Sequence, residues 1–346
     1  MKTGKWPLLA IRALLIPILL LACFPAAAQP ELVMPVRCDP GKDCWVVNYV
    51  DHDPGEGIRD YTCGKATYNV TSKRGNRHQG VDIAIRDLAV MAGGVEVLAA
   101  APGIVRGVRD GMKDVSVREI GHAALKGKDC GNRVGIEHAD GWLTQYCHLR
   151  RGSVAVRNGD RVEAGQAIGL IGLSGFTEYP HLHVQVMKGR DIVDPFTGTG
   201  RTDKCSVGDK PLWTKEALAR LPYRPTALYT AGFSATRPDP KQARAGRLSA
   251  DVLAPASKAL VLWVDIFHVH KGDKLEFRIV TPGGKALLKH RVVIKKRSTR
   301  HFAYAGKPLK ASQWPAGVYA GEIRLIRDAG SSNPQKFAIT RRVMLQ

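Results

Sequence analysis

Four short stretches carry the side chains that could do chemistry. They are "HQGVD" (His78 to Asp82), "TQYCHL" (Thr144 to Leu149), "GLSGFTEYPHLHV" (Gly172 to Val184) and "VDP" (Val193 to Pro195). The third ends in an H-x-H pair inside a strand-like run. Side chains alternate along a strand, so His181 and His183 point the same way, about 6.5 Å apart along the backbone. That is close enough to serve one small site. A lone H-x-H is a surface or hydrogen-bonded pair more often than a ligand pair, so the chemistry rests on the stretches together. A histidine, an aspartate and a further histidine are suitable ligands for zinc. Three protein ligands and one open position is the pattern of a catalytic rather than a structural zinc site. The helical H-E-x-x-H motif is absent, which excludes that kind of metalloprotease.

Spacing constrains the first stretch. On a regular strand His78 and Asp82 would face the same way but lie roughly 13 Å apart. Two ligands of one zinc must bring their donors to about 2 Å from the metal. A helix would join positions i and i+4, but Gly80 and the β-branched Val81 and Ile83 disfavour one. The chain is therefore expected to bend at Gln79-Gly80, with Gly80 permitting the bend.

The elements that must hold these residues read as β. Gly-punctuated, β-branched runs occur at Val81–Ile85, Val95–Leu98 and Gly103–Val108. A hairpin is expected from Asn132–Glu137 and Trp142–Leu149 around Ala139-Asp140-Gly141. Met112 to Lys128 interrupts the pattern, with one short helix expected at Arg118–Leu125. Residues 206–227 read as a connector with a helical turn at Lys215–Leu221, before Pro222 and Pro225. Beyond it, Leu275, Phe277 and Ile279 alternate with Lys274, Glu276 and Arg278, a half-buried strand of a second, antiparallel β domain.

The amino terminus sets the compartment. Lys2, Lys5 and Arg12 precede an apolar run, Ala13 to Phe24, that ends in Pro25-Ala26-Ala27-Ala28. This reads as a secretory signal cut after Ala28. A second reading makes Leu20-Leu21-Ala22-Cys23 a lipobox with Cys23 as lipid anchor, although Leu21 fits it poorly. Either way the product is periplasmic or secreted. No other apolar run is long enough to span a membrane, so no transmembrane helix is expected after signal removal. Six cysteines remain: Cys38, Cys44, Cys63, Cys130, Cys147 and Cys205. An even set in an exported chain suggests disulfides, with 15 possible connectivities. The formal charge is +21. Such a field draws a protein to polyanions. Export and the lack of an aromatic-basic RNA signature argue against nucleic acid, and anionic cell-envelope polymers fit better. A solvated basic surface with no specific partner accounts for much of the charge.

H-x-x-x-D, then Y-x-H-L on a hairpin strand (Tyr146 to Leu149), then S-G-x-x-x-x-P-H-L-H (Ser174 to His183), in this order, resemble the lysostaphin/LytM-type zinc endopeptidases of bacterial cell walls. The resemblance covers about residues 61–205. It implies one Zn²⁺ per chain held by His78, Asp82 and His183, with His148 and His181 as the two catalytic, non-ligand histidines. It also implies hydrolysis of peptide bonds in peptidoglycan. The rival function is a catalytically weak wall-binding activator of other peptidoglycan hydrolases, since some relatives have lost ligands; all five polar positions are present here. A secreted structural or adhesive β protein is a more remote reading.

The expected fold is mainly β: an antiparallel β-sheet metallopeptidase domain, then a C-terminal antiparallel β-sandwich-like domain. The expected divisions are a signal at 1–28, a lead-in at 29–60, the peptidase domain at 61–205, a connector at 206–227 and the C-terminal domain at 228–346. Departures from the family pattern are modest. Thr177-Glu178-Tyr179-Pro180 replaces Thr-Gly-Pro, and Cys147 stands before His148. On a regular strand Cys147 faces away from His148, so it reads as structural, with Cys130 as its expected partner across the hairpin. Tyr68 is the nearest match to a tyrosine that the family carries upstream of the first ligand. Asn48 and His52 in the lead-in could occlude the zinc, although a packed lead-in strand is the simpler role. In "VDIFHVH", Asp265, His268 and His270 repeat the H-x-H spacing without a second motif, and Asp265 and His268 fall on opposite strand faces. They read as a structural or surface group. The basic run Lys285 to Arg300 reads as a strand with a solvated face, or as an anchoring surface.

Overall fold

The hairpin forms between the expected residues, Asn132–Glu137 and Trp142–Leu149. Its turn places Asp140 and Gly141 in the left-handed region, at φ 56° and 70°, which aspartate and glycine tolerate best. This computed structural model describes residue 1 and residues 29–69, 77–248 and 250–346. The leader, with both readings of Cys23, lies outside the described residues apart from Met1.

Among the described residues, the first half of the chain builds ten strands: β1 (Cys44–Asn48), β2 (Val81–Ile85), β3 (Glu96–Leu98), β4 (Gly103–Arg109), β5 (Asn132–Glu137), β6 (Trp142–Leu149), β7 (Arg161–Val162), β8 (Ala167–Leu170), β9 (His181–Lys188) and β10 (Asp191–Val193). One sheet runs β1-β2-β9-β6-β5-β4-β7, with β10 also on β9, while β3 and β8 pair separately. All these pairings are antiparallel. Its core extends beyond the central residues. Leu32 and Val36 of the lead-in and Leu212, Trp213 and Leu221 of the connector are all buried in it. Both flanking segments thus pack as walls of this unit, because their apolar residues complete its core. The short helix expected at Arg118–Leu125 is instead two turns, Val117–Ile120 and a tighter one at His122–Leu125. Gly121, at φ 75°, breaks them apart.

The second half builds β11 (Ala227–Ser234), β12 (Val252–Leu253), β13 (Ala259–Val269), β14 (Lys274–Val280), β15 (Ala286–Val293), β16 (Ser298–Pro308), β17 (Gly317–Arg327) and β18 (Gln335–Leu345). They form two sheets, β11-β13-β16 and β12-β18-β17-β14-β15, antiparallel except for the short β12–β18 pair. Leu275, Phe277 and Ile279 point into the core between them, as their alternation predicts.

Three disulfides use the six cysteines: Cys38–Cys44, Cys63–Cys205 and Cys130–Cys147. The two halves meet through a cluster of Trp45, Val47, Ala84, Ala227, Tyr229 and Phe267. Beside it the Arg300 guanidinium lies 5.4 Å from the Tyr179 ring and 5.5 Å from that of Tyr229, within cation–π range.

Candidate metal centre

Register assembles the site. Asn48 on β1 stands opposite Asp82 on β2, Asp82 opposite His183 on β9, and His183 opposite Cys147 on β6. Directly opposed residues of an antiparallel sheet share a face, so one row across four strands carries Asn48, Asp82 and His183. His78 joins them from just before β2, which starts at Val81. The chain bends at Gly80, as the spacing of His78 and Asp82 requires, but a left-handed φ is not what the glycine supplies. It is absent from the glycines with positive φ. A Cβ on it would lie 2.5 Å from Val184 O and 2.7 Å from His183 Nε2. The glycine lets the His78 segment lie against β9.

Three donors converge. His183 Nδ1 is 2.8 Å from Asp82 Oδ1, His78 Nε2 is 3.0 Å from the same oxygen, and the two nitrogens are 3.2 Å apart. A tetrahedral zinc ion with bonds of about 2.0–2.1 Å sets its donors roughly 3.3 Å apart, so the triangle and its N, N, O chemistry fit that ion. The His78 ring is also fixed from behind. Its Nδ1 donates to Tyr49 O at 2.7 Å, leaving Nε2 bare, the arrangement typical of ligating histidines. Asp82 Oδ2 accepts from Asn48 Nδ2 at 2.8 Å. Among the described residues one other trio meets the same distance test, Cys38, Asp43 and Cys44, but its sulfurs are joined in a disulfide. The second-domain H-x-H forms no such group. Asp265 is held by Tyr229, Arg244 and Arg300.

The electrostatics follow from burial. Burial opposes ionisation of Asp82, but the neighbouring imidazoles of His78, His181 and His183 hold its carboxyl well below the usual range. Burial also disfavours charge on His78, yet Asp82 and the Tyr49 carbonyl outweigh it and its pKa is raised. His148 is pushed well below the ordinary histidine value by burial, with His181 and His183 adding to the effect.

His148 and His181 flank the triangle, their rings 4.7 Å apart. His148 Nδ1 bonds Ser174 O at 2.8 Å, and His181 Nδ1 bonds Tyr179 O at 2.9 Å. A carbonyl only accepts, so both rings carry a proton on Nδ1 and leave Nε2 for the site. His148 corrects one expectation. On a regular strand it would face away from Cys147 and so from His183, but its φ is 63°. This left-handed step turns its ring to within 6.0 Å of the His183 ring. Cys147 and His148 both border a cavity of about 230 Å³, with Tyr68, Gln79, His122 and Phe176 on other walls. The segment Met112 to Lys128 therefore lines the cleft through His122. The Tyr68 ring lies 4.6 Å from that of His78, tilted by 35°.

The fourth stretch is not brought to the site. Asp194 binds His52 Nε2 at 2.8 Å, which occupies His52 away from the triangle. Sequence reading missed the partners that act through backbone oxygen, Tyr49, Ser174 and Tyr179, and the role of Asn48 as holder of Asp82. Of these, Ser174 and Tyr179 lay within a motif.

A buried N, N, O triangle flanked by two oriented histidines on an antiparallel sheet is the equipment of a metal-dependent hydrolase. Residues 76–195 match the family model described as Peptidase family M23, so the chain carries an M23 peptidase domain. A peptidoglycan DD-endopeptidase of Vibrio cholerae is 40% identical over 63 residues, 18% of this chain and 14% of that protein. A glycyl-glycine endopeptidase of Staphylococcus capitis is 42% identical over 84 residues, 24% of this chain and 21% of that protein. A DD-carboxypeptidase/endopeptidase of Neisseria meningitidis is 32% identical over 134 residues, 37% and 29%. The chain thus spans under a third of each of these relatives. Among solved structures, a zinc-containing peptidase of Vibrio cholerae is 28% identical and covers 43% of this chain and 39% of that one, with a TM-score of 0.28.

Proposed function

We propose that the protein is an exported zinc endopeptidase that hydrolyses peptide bonds in bacterial peptidoglycan. The observation that carries this is the triangle of His78 Nε2, Asp82 Oδ1 and His183 Nδ1 with edges of 2.8 to 3.2 Å, inside the M23 match. The related DD- and glycyl-glycine endopeptidases support the substrate class. Bound by these three residues, zinc would supply Lewis-acid polarisation of the scissile carbonyl and acidify a water. The remaining work falls to the chain. His148 and His181 keep Nδ1 protonated on carbonyls and leave Nε2 for the site, where one can take the proton of the attacking water. The other can donate to the developing oxyanion or to the leaving amine. The cleft walls from Tyr68, His122 and Phe176 hold the peptide in place. The basic surface would keep the enzyme on anionic envelope polymers.

Metal analysis of the purified protein, with digestion of purified sacculi, tests this. About one zinc per chain and soluble fragments bearing new amino termini are expected. Protein that neither retains zinc nor releases peptides would overturn it.

A further inference from the structure

The strand "VDIFHVH" carries no partner motif, yet one of its histidines sits in an uncommon state. His268 lies inside β13 at φ 54° and is 1% exposed. A left-handed residue within a strand is strained and persists only where its surroundings hold it. Here Arg327, paired in the core with Asp273, donates to His268 O at 2.7 Å. The strain turns the imidazole out of its own domain. Its Nε2 lies 2.7 Å from Val47 O and 2.9 Å from Asn48 Oδ1. Both are acceptors, so Nε2 carries the proton and the ring is neutral on Nδ1, which is buried without a partner.

This contact decides which way Asn48 points. With Oδ1 engaged by His268, the Asn48 amide must turn Nδ2 to Asp82 Oδ2, at 2.8 Å, and to Tyr179 OH, at 2.9 Å. A flipped amide would set its NH₂ against the His268 N–H and its oxygen against the Asp82 carboxylate, losing both bonds. Asp82 then has one oxygen tied back and Oδ1 free for the triangle. We infer that the second domain completes the metal centre, with His268 as a positioning residue that acts through Asn48 to orient the Asp82 carboxylate. This rests on the zinc reading above. The second domain is then a part of the catalytic unit, whatever it does towards the wall.

The test is zinc affinity of the full-length protein by chelator competition, beside melting curves with and without zinc. His268→Leu fills the space without a donor, and His268→Gln restores an N–H near the same place; both bear the same backbone strain. Partners one step behind a ligand are worth about 10- to 100-fold in metal affinity. His268→Leu should weaken zinc about tenfold and reduce the zinc-induced rise in melting temperature, His268→Gln should recover most of the affinity, and Asn48→Leu should lose at least as much as His268→Leu. In an Asn48→Leu background, His268→Leu should add nothing further. Unchanged affinity in His268→Leu, or equal losses in both backgrounds, would overturn the inference. Should His268→Leu not fold, Asn48→Leu decides alone, because native affinity there breaks the chain at its middle. Wild-type protein that binds no zinc would instead remove the metal reading itself.

Discussion

His183→Ala removes one donor of the triangle, whereas His181→Ala leaves all three in place although it lies two residues away on the same strand face. The first should lose zinc and activity together. The second should keep near-stoichiometric zinc and lose about 10²- to 10⁴-fold in rate, the usual worth of one proton-transfer or oxyanion partner. Plasma emission for metal and turnover of wall fragments separate the two. Equal zinc loss in both variants would mean that His181 is misassigned. At this scale the sequence was informative where chemistry resides in side chains, since His78, Asp82, His148, His181 and His183 all fall in recognisable motifs. It was silent where a carbonyl does the work. Tyr49 O and Ser174 O fix two imidazoles, and any residue type can offer a carbonyl.

Elements were legible where their pattern was local. The β5–β6 hairpin and the alternation in β14 depend on neighbours within a few residues, and both formed as read. The helix expected at Arg118–Leu125 did not, because Gly121 ends one turn before the next begins. The place of the lead-in and connector in the first core depends on contacts between residues as far apart as Leu32 and Trp213, which no local pattern encodes. Gly80 shows the same limit. The bend there was legible, while the close approach of the His78 segment to β9 was not. Gly80→Ala should therefore cost roughly 1–3 kcal/mol by overpacking and weaken zinc, because the new Cβ meets a backbone oxygen and His183 Nε2. Gly107→Ala is the control: nothing lies within 4 Å of its Cβ position and its φ is not left-handed. Thermal melts and zinc titration of both variants check this, and equal behaviour of the two would dismiss the steric account.

For the whole molecule, charge and the interface between halves carry separate expectations. Lys285, Lys289, Lys295 and Lys296 are exposed just before, on and after β15, which is a sheet edge, where lysines also serve to block edge-to-edge pairing. If they anchor the protein as well, reversing all four to Glu in a His183→Ala background should abolish most co-sedimentation with sacculi at low salt. Salt should do the same to the parent, and undiminished pelleting of the variant would leave only the edge-blocking role.

The interface should register in the pH dependence of stability. Burial pushes the His268 pKa down to about 3; the bond to Val47 O offsets this in part, while Arg297, His270 and Arg327 reinforce it. The unfolded chain returns this histidine to about 6.5. Between those two values the unfolded state binds a proton that the folded state refuses, so stability falls as pH falls. The slope from this one group approaches about 1.4 kcal/mol per pH unit. The difference between wild type and His268→Gln isolates this group. Denaturant melts of both, metal-free, should run parallel above pH 7 and diverge below about 6, with the wild type losing stability faster. Parallel curves down to pH 4 would mean that His268 opens to solvent, and that the contact between the two halves is looser than its hydrogen bonds imply.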